Sequence, residues 1–281
     1  MLKKFFREDI LNNILFIKEW IEDKNDEQIK YFFLTALLSI LESVSYTRKD
    51  GGFLRIVKNK NFSDVKSVYL SKLQKMFTDL ELLYALPNSE AKAFEGDARK
   101  TIFKTEEFSA VITSPPYPNR HDYTRVYFLE LMVGFMESYD ELKNLRYFSI
   151  RSHVEARKRF TDESYVAPEI LRRLSKKLED THLPNRAVIT MLEGYFEDMH
   201  MVLKEIHRLL KPSGKVAFVV GDVRYGGIKI PVSDALINLG YSVGFEFKEK
   251  IMARIRGNSP QQMKKYGKEP MEENILIWIK R

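Results

Sequence analysis

The sequence predicts an α/β fold: a helical region followed by a sheet with helices on both faces. Three observations lead there. Up to about residue 86, apolar side chains recur at helical spacing. From Ala91 onward, short apolar runs alternate with long amphipathic ones, the pattern of strand, helix, strand, helix. Two apolar runs then close the chain as an antiparallel pair.

Each element has its own local reason. "DILNNILFIKEWIED" places Ile10, Leu11, Ile14, Leu15, Ile17 and Trp20 near one helical face. "EQIKYFFLTALLSILESVS" reads as a longer, mostly buried helix, and Asp50-Gly51-Gly52 breaks the chain after it. Ser63 is placed to N-cap a further helix, "SDVKSVYLSKLQKMFTDLELLYAL". "AKAFEGDAR" reads as a short strand ending in Gly96-Asp97. "FSAVITSPPY" reads as a second strand, apolar enough to be buried on both faces as in a parallel sheet. Residues 124 to 183 read as helical and strongly charged. "MLEGYFEDMHMVLKEIHRLLKPSG" is a long helix stopped by Pro212-Ser213-Gly214. "KVAFVVGD" is a third buried strand and "IPVSDALINLGY" another helix. "SVGFEFKEKIMARI" and "ENILIWIK" form the closing pair. The organisation that follows is a helical region, 1–86, and a sheet domain, 87–281, with a helical, basic insertion at about 140–185.

Bulk composition narrows the function classes. The 281 residues carry a formal charge of +7 and no cysteine, which excludes disulfides and Cys-based metal sites. A net positive charge fits a polyanionic partner without requiring one. Arg7, Glu8 and Asp9 interrupt the apolar N-terminus, so it reads as an amphipathic helix and not a signal peptide. No apolar run is long enough to span a bilayer. A soluble, cytoplasmic protein without a metal site is expected.

The chemistry concentrates at the strand ends, where ligands bind in open α/β sheets. Pro115 and Pro116 cannot donate to a ladder, so they end their strand and hold the adjacent carbonyls in one direction. With the Ser114 hydroxyl they form a rigid acceptor array beside the aromatic face of Tyr117. Such an array suits a planar group bearing an NH₂, whose two N–H bonds donate while the ring stacks. A base in a duplex reaches such a pocket only when flipped out. Each residue also has a plainer reading. Ser-Pro-Pro-Tyr is a serviceable turn, and Gly96-Asp97 and Gly221-Asp222 are common strand endings.

These residues resemble the (D/N/S)PPY motif of DNA amino-methyltransferases that use S-adenosyl-L-methionine. The Ser form, preceded by Thr113, is similar to the cytosine-N4 branch. "TSPPYPNRHDYTRVYFLEL" matches well beyond the tetrapeptide, as do "TALLSILESVSYTRKDGGFLR", "LLKPSGKVAFVVGDVR" and "RIRGNSPQQMKKYGKEPMEENILIWIK". The resemblance implies a Rossmann-like methyltransferase sheet, with 87–281 as its catalytic, target-base domain. It implies that Ser114, Pro115, Pro116 and Tyr117 hold the target base. Asp97, with Gly96 and Thr113 beside it, would contact the donor's adenine. It further implies double-stranded DNA as partner, base flipping, and a restriction-modification setting. Asn119, Arg120, Asp122, Tyr123, Arg125, Arg151, Arg254, Arg256 and Gln261 are the residues placed to meet DNA, by phosphate contact or base readout. Adenine N6 of DNA, or an RNA base, is the alternative target. A catalytically silent DNA-binding or regulatory subunit is the alternative of another class.

One part of that family's pattern is missing. The donor site carries a Phe-x-Gly-x-Gly turn, and none exists among the thirteen glycines of this chain. The blocks present follow the order of the later part of such an enzyme. The expectation is an incomplete sheet lacking its first two strands, and one subunit of a split enzyme. A second subunit would then supply the glycine turn.

Overall fold

In the computed structural model, residues 1–57, 59–83, 90–157, 160–257 and 260–281 are described. The helices α1 (Glu8–Glu22) and α2 (Glu27–Ile40) come first, then a hairpin of β1 (Thr47–Asp50) and β2 (Phe53–Ile56), then α3 (Val65–Leu83). Strand β3 (Phe108–Thr113) follows, then helices α4 (Tyr123–Val126), α5 (Phe128–Gly134), α6 (Tyr139–Phe148), α7 (Glu169–Glu179) and α8 (Ala187–Leu209). The chain continues through β4 (Leu210–Gly221), β5 (Val223–Tyr225), β6 (Ile228–Ile230) and α9 (Val232–Ser242). It closes with β7 (Phe245–Arg256), α10 (Pro260–Tyr266) and β8 (Met271–Lys280). No described helix is long and apolar enough to cross a membrane.

Two compact units form. The first comprises Met1–Ala93 and Asp122–Arg146, the second Phe94–His121 and Tyr147–Arg281. In the first, Ile10, Leu11 and Ile14 of α1 pack with Ala36, Leu37 and Ile40 of α2, and with Leu129 and Val133 of α5. Asp26 caps α2 by accepting from the amides of Gln28 (2.8 Å) and Ile29 (3.0 Å), which satisfies two of the orphan donors of the first turn. The start of α3 follows the same logic one residue later than expected. Asp64, not Ser63, accepts from the Ser67 amide at 2.8 Å. The Gly51-Gly52 break proves to be a hairpin turn, with Gly51 at φ +59°.

The second unit holds a four-stranded mixed sheet in the order β3-β4-β8-β7. Strands β3 and β4 are parallel, while β8 runs antiparallel to both β4 and β7. The closing pair is as expected. "AKAFEGDAR" is not a strand. Asp97 makes only an isolated bridge with Lys100, because among the described residues no neighbouring strand lies there to pair with. The expectation that "FSAVITSPPY" is buried on both faces also fails. Strand β3 lies at the sheet edge and Ile112 is 84% exposed. Residues 149–168 form no helix in their described part, so the charged region is less helical than its composition suggests.

Burial alternates along the sheet. Val216, Phe218 and Val220 of β4 and Asn274, Leu276 and Trp278 of β8 are buried under α8 and α9. Their alternates Ala217, Val219, Ile275, Ile277 and Ile279 are only partly covered, and Ile251 of β7 is 41% exposed. Register carries Ile112, Ala217 and Ile277 onto that same open face. A parallel sheet with both faces covered was expected. Here helices cover one face.

Trp278 anchors the covered face, edge-on to Phe218 at 5.7 Å. A Cβ on Gly240 of α9 would fall 2.6 Å from Trp278 Nε1, so only glycine lets the helix approach. Gly240→Ala is therefore expected to cost about 1–3 kcal/mol through overpacking. Gly257→Ala, with nothing within 4 Å of its added carbon, should stay within about 0.5 kcal/mol. Urea unfolding of the two variants checks the contrast.

Glu205 of α8 ties down the segment that precedes β3. It accepts from the Thr101 amide (2.8 Å) and hydroxyl (2.6 Å) and from Arg208 Nε (2.9 Å) and Nη2 (2.6 Å). Hydrogen bonding from Arg208 is the largest influence. With the bonds from Thr101 it outweighs burial and holds the carboxyl down to about 2. The stabilisation is thus complete above pH 4.5, its ordinary value, and is lost as pH falls through about 2. Glu205→Gln is expected to lose about 1.5–3 kcal/mol at neutral pH. Thermal melts across pH should show the gap from the parent protein closing between those two values.

Candidate active site

The Ser114–Tyr117 turn leaves the carboxyl end of β3 beside the end of β4. Two consecutive prolines are tolerated because they follow Thr113, the last paired residue of β3, so their missing N–H donors break no ladder. The chain then turns sharply. The Asn119 amide donates to the Tyr117 carbonyl at 2.7 Å, Asn119 Oδ1 accepts from the His121 amide at 3.0 Å, and Arg120 takes a left-handed backbone at φ +68°. Tyr225 Oη donates to the Pro118 carbonyl at 2.5 Å, fixing the far side of the turn to β5.

Within the turn Ser114 is exposed, Pro115, Pro116 and Tyr117 are half-buried, and Ser114 Oγ lies 3.5 Å from Tyr117 Oη. Burial pushes the Tyr117 phenol up, against a smaller downward pull from Ser114 and from the charges of Arg256 and Arg254. The phenol is therefore neutral at physiological pH. It offers a flat, amphipathic face. Behind the prolines, Thr113, Pro115, Pro116, Val202, Ile206 and Phe218 line a largely apolar hollow of about 320 Å³.

The residues expected to touch a donor nucleotide are engaged elsewhere. Asp97 Oδ1 accepts from Arg99 Nε at 3.0 Å, and Oδ2 accepts from Arg99 Nη2 at 2.7 Å. Burial pushes its carboxyl up, but the bonds and charge of Arg99 prevail and hold it below the usual range. Arg99 in turn stacks on Phe160 at 3.8 Å and pairs with buried Asp198 at 3.3 Å. Gly96 is exposed, with nothing within 4 Å of an added Cβ, so it forms no phosphate cradle here. The residues present therefore do not fit a nucleotide-bearing donor by themselves: one carboxylate is committed, and the glycine turn is absent.

The structure distributes the proposed DNA-facing residues unevenly. Asn119 and Arg120 belong to the turn itself, where Arg120 is exposed. Arg254, 66% exposed, and Arg256 share Glu273 Oε2, at 3.0 and 3.2 Å. Gln261 lies in α10, with its side chain outside the described residues. Arg151 is buried. Its Nε and Nη2 bind the two oxygens of Asp198 at 3.0 and 2.7 Å, and a Cβ on Gly194 would sit 2.5 Å from it. In the first unit, Asp122 is a buried cap for α4, accepting from the Thr124 amide at 2.9 Å and pairing with Arg146 at 3.0 Å. Tyr123 is half exposed and stacks on Tyr127 with 6.3 Å between centroids, while Arg125 pairs with Asp122 at 3.3 Å.

Two residues to which sequence reasoning gave no site role belong beside the turn. Gly221 touches Tyr117, with an added Cβ falling 3.1 Å from ring atoms Cδ2 and Cε2. Glu273 was not singled out at all. An acid at the start of an apolar strand was the available signal, and the neighbouring Glu272 masked it.

Comparison with known proteins gives these residues a context. No protein-family model matches the chain. Type II methyltransferase M.BsoBI of Geobacillus stearothermophilus is 32% identical over 330 aligned positions, covering 98% of this chain and 64% of its own length. Type II methyltransferase M.AvaI of Nostoc is 33% identical over 293 positions, covering 92% and 60%. Among solved structures, a candidate DNA modification methylase from Thermus thermophilus aligns at 18% identity, with a TM-score of 0.34, over 66% of this chain and 52% of its own. That likeness is too remote to carry an argument. The M.BsoBI match runs over 330 positions against 281 residues here, so the relative carries segments inside the matched span that this chain lacks. The chain is similar along nearly its whole length to Type II methyltransferases, and spans about three fifths of the length of these relatives.

Proposed function

We propose that this chain is the target-base half of a site-specific DNA methyltransferase, acting on the exocyclic amine of a flipped base, cytosine N4, in a restriction-modification system. The observation that carries the reading is the Ser114–Tyr117 turn at the carboxyl end of β3, in a chain that aligns over nearly its whole length with Type II methyltransferases. Ser114 Oγ and the Pro115 carbonyl accept the two N–H bonds of the amine. That draws the nitrogen lone pair out of conjugation with the ring and aims it away from the turn. Pro116 keeps the carbonyl direction fixed, and Tyr117 stacks on the base. Catalysis of this kind is positioning and electrostatics, with no covalent enzyme intermediate. Asn119, Arg120 and Arg254 meet the DNA around the pocket, where exposed cations neutralise phosphate charge.

The donor is S-adenosyl-L-methionine, and a second polypeptide supplies most of its site. Three observations favour that division. Asp97 is held by Arg99, β3 has an open edge among the described residues, and one sheet face is apolar and only partly covered. An unpaired edge beside a bare apolar face is a surface that natural sheets usually cover.

Titration of S-adenosyl-L-methionine into the isolated chain is expected to show no binding. Addition of a partner bearing Phe-x-Gly-x-Gly is expected to create binding and methyl transfer to DNA. In the reconstituted pair, Tyr117→Ala should slow transfer by roughly 5- to 150-fold, the equivalent of the ~1–3 kcal/mol of one base–aromatic stack. Tight donor binding by the chain alone would refute the two-polypeptide division. N6-methyladenine as product would overturn the cytosine assignment. Absence of transfer with every partner tested would favour a silent DNA-binding subunit.

A further inference from the structure

Tyr117 is held by neighbours that come from three adjacent strands. Gly221 ends β4, Glu273 faces it across the β4–β8 register, and Arg254 faces Glu273 across the β7–β8 register. The sheet thus lines up a glycine, a carboxylate and two arginines beside the turn. Glu273 is 7% exposed, and its Oε2 accepts from Arg256 Nη1 at 3.2 Å and from Arg254 Nη2 at 3.0 Å. The Arg256 guanidinium lies over the Tyr117 ring, 5.4 Å from its centroid. Against the same ring stands the bare Cα of Gly221. A Cβ there would fall 3.1 Å from two ring carbons and 3.3 Å from Arg256 Nη1. Ring, guanidinium and glycine therefore meet closely, and a methyl group there would fit only if the ring or the guanidinium moved.

We infer that Gly221, Arg256 and Glu273 are positioning residues that clamp the Tyr117 ring at the angle a stacked base requires. Glu273 holds Arg256, Arg256 covers the ring, and Gly221 leaves the space in which the ring sits. The inference rests on the reading of Tyr117 as the stacking face. It changes what Arg256 does: a guanidinium tied to a buried carboxylate and lying on a ring is committed before DNA arrives. A cation over an aromatic face is attractive, and the planar guanidinium suits the ring better than an ammonium does. A flat, oriented Tyr117 needs no reorganisation when a base arrives, which is where positioning gains its rate advantage.

The test reads the ring itself in the isolated full-length chain. With selectively labelled tyrosine, and Tyr117→Phe to assign the signal, the parent protein is expected to show a restrained ring with distinct resonances for its two edges. Arg256→Ala, Glu273→Gln and Gly221→Ala should each shift or merge those resonances, with thermal melts confirming that the variants fold. Arg256→Ala should also raise the midpoint of the Tyr117 phenol titration, since a nearby positive charge is removed. The double variant Arg256→Ala/Glu273→Gln should change the ring signals no more than Arg256→Ala alone, because the two act as one chain of contacts. Arg256→Lys keeps the charge and should not restore the ring. DNA binding by the same variants is measured as a function of salt. Unchanged ring signals in Arg256→Ala, with the slope of log K against log salt reduced by about 1, would make Arg256 a phosphate contact and overturn the clamp. Restoration of the ring by Arg256→Lys would overturn it as well. Ring signals that respond as expected in a chain that binds no DNA would support the clamp and count against the DNA reading alone.

Discussion

Backbone amides of β3 bond to β4 on one side and, among the described residues, have no strand on the other. The candidate turn leaves the sheet just beyond that strand's last paired residue, Thr113. Pro115 and Pro116 lie past Thr113, so their missing N–H groups break no ladder. Beyond it Ser114 is exposed while Tyr117 folds back onto Gly221. Ile112, next to the last residue of β3, is an apolar side chain left exposed on the open face of the sheet.

Charge in the second unit is organised inward as much as outward. Arg99 and Arg151 both converge on Asp198, which is fully buried in α8, and Arg151 also pairs with Glu197 at 3.0 Å. Breaking such a pair by removing one member leaves an uncompensated buried charge, so these arginines are tied to the fold before any ligand is considered. Phe160 lies against Arg99, and the Arg99 Nη2 donates to the Phe148 carbonyl at 2.7 Å. The network thus joins the segment before β3 to the segment after α6. Asp97 sits at its solvent end. Any adenine that reached Asp97 would compete with a two-pronged guanidinium contact already in place.

The turn after β3 was legible in the sequence because proline constrains the backbone locally. Pro115-Pro116 ends a strand wherever it occurs, and "KVAFVVGD" and "ENILIWIK" are apolar enough to read as strands without a partner in view. What depended on distant pairing was not legible. "AKAFEGDAR" has a strand's composition, but a strand exists only beside another, and none of the described strands lies there. Arg151 sits in a basic run that reads as surface. Its partner Asp198 lies 47 residues away on a helix whose other residues are mostly apolar. The hairpin at Thr47–Ile56 was half visible: Gly51-Gly52 signals a turn, but "TRKD" and "FLRI" lack the alternation that marks a strand. Helices on both faces were expected because apolar strands suggest burial on both sides. The alternation of burial in β4 and β8 shows one covered face instead.

The covered face carries the large buried side chains of this unit. Trp278, Tyr195, Phe196, Phe218, Met199 and Leu203 are all fully buried between the sheet and α8 and α9. Burying side chains of this size contributes roughly 1.5–3 kcal/mol each, before entropy is counted. The contacts that shape the turn come from strand ends of this same unit: Gly221, Arg256 and Glu273 around Tyr117, and Tyr225 on Pro118. Gly221 and Glu273 lie in line with the residues of the open face, but none of these contacts uses the outer edge of β3. A second polypeptide arriving at that edge would therefore meet an acceptor turn already shaped. Its contribution would be the donor's surroundings and the missing cover, not the geometry of Ser114 to Tyr117.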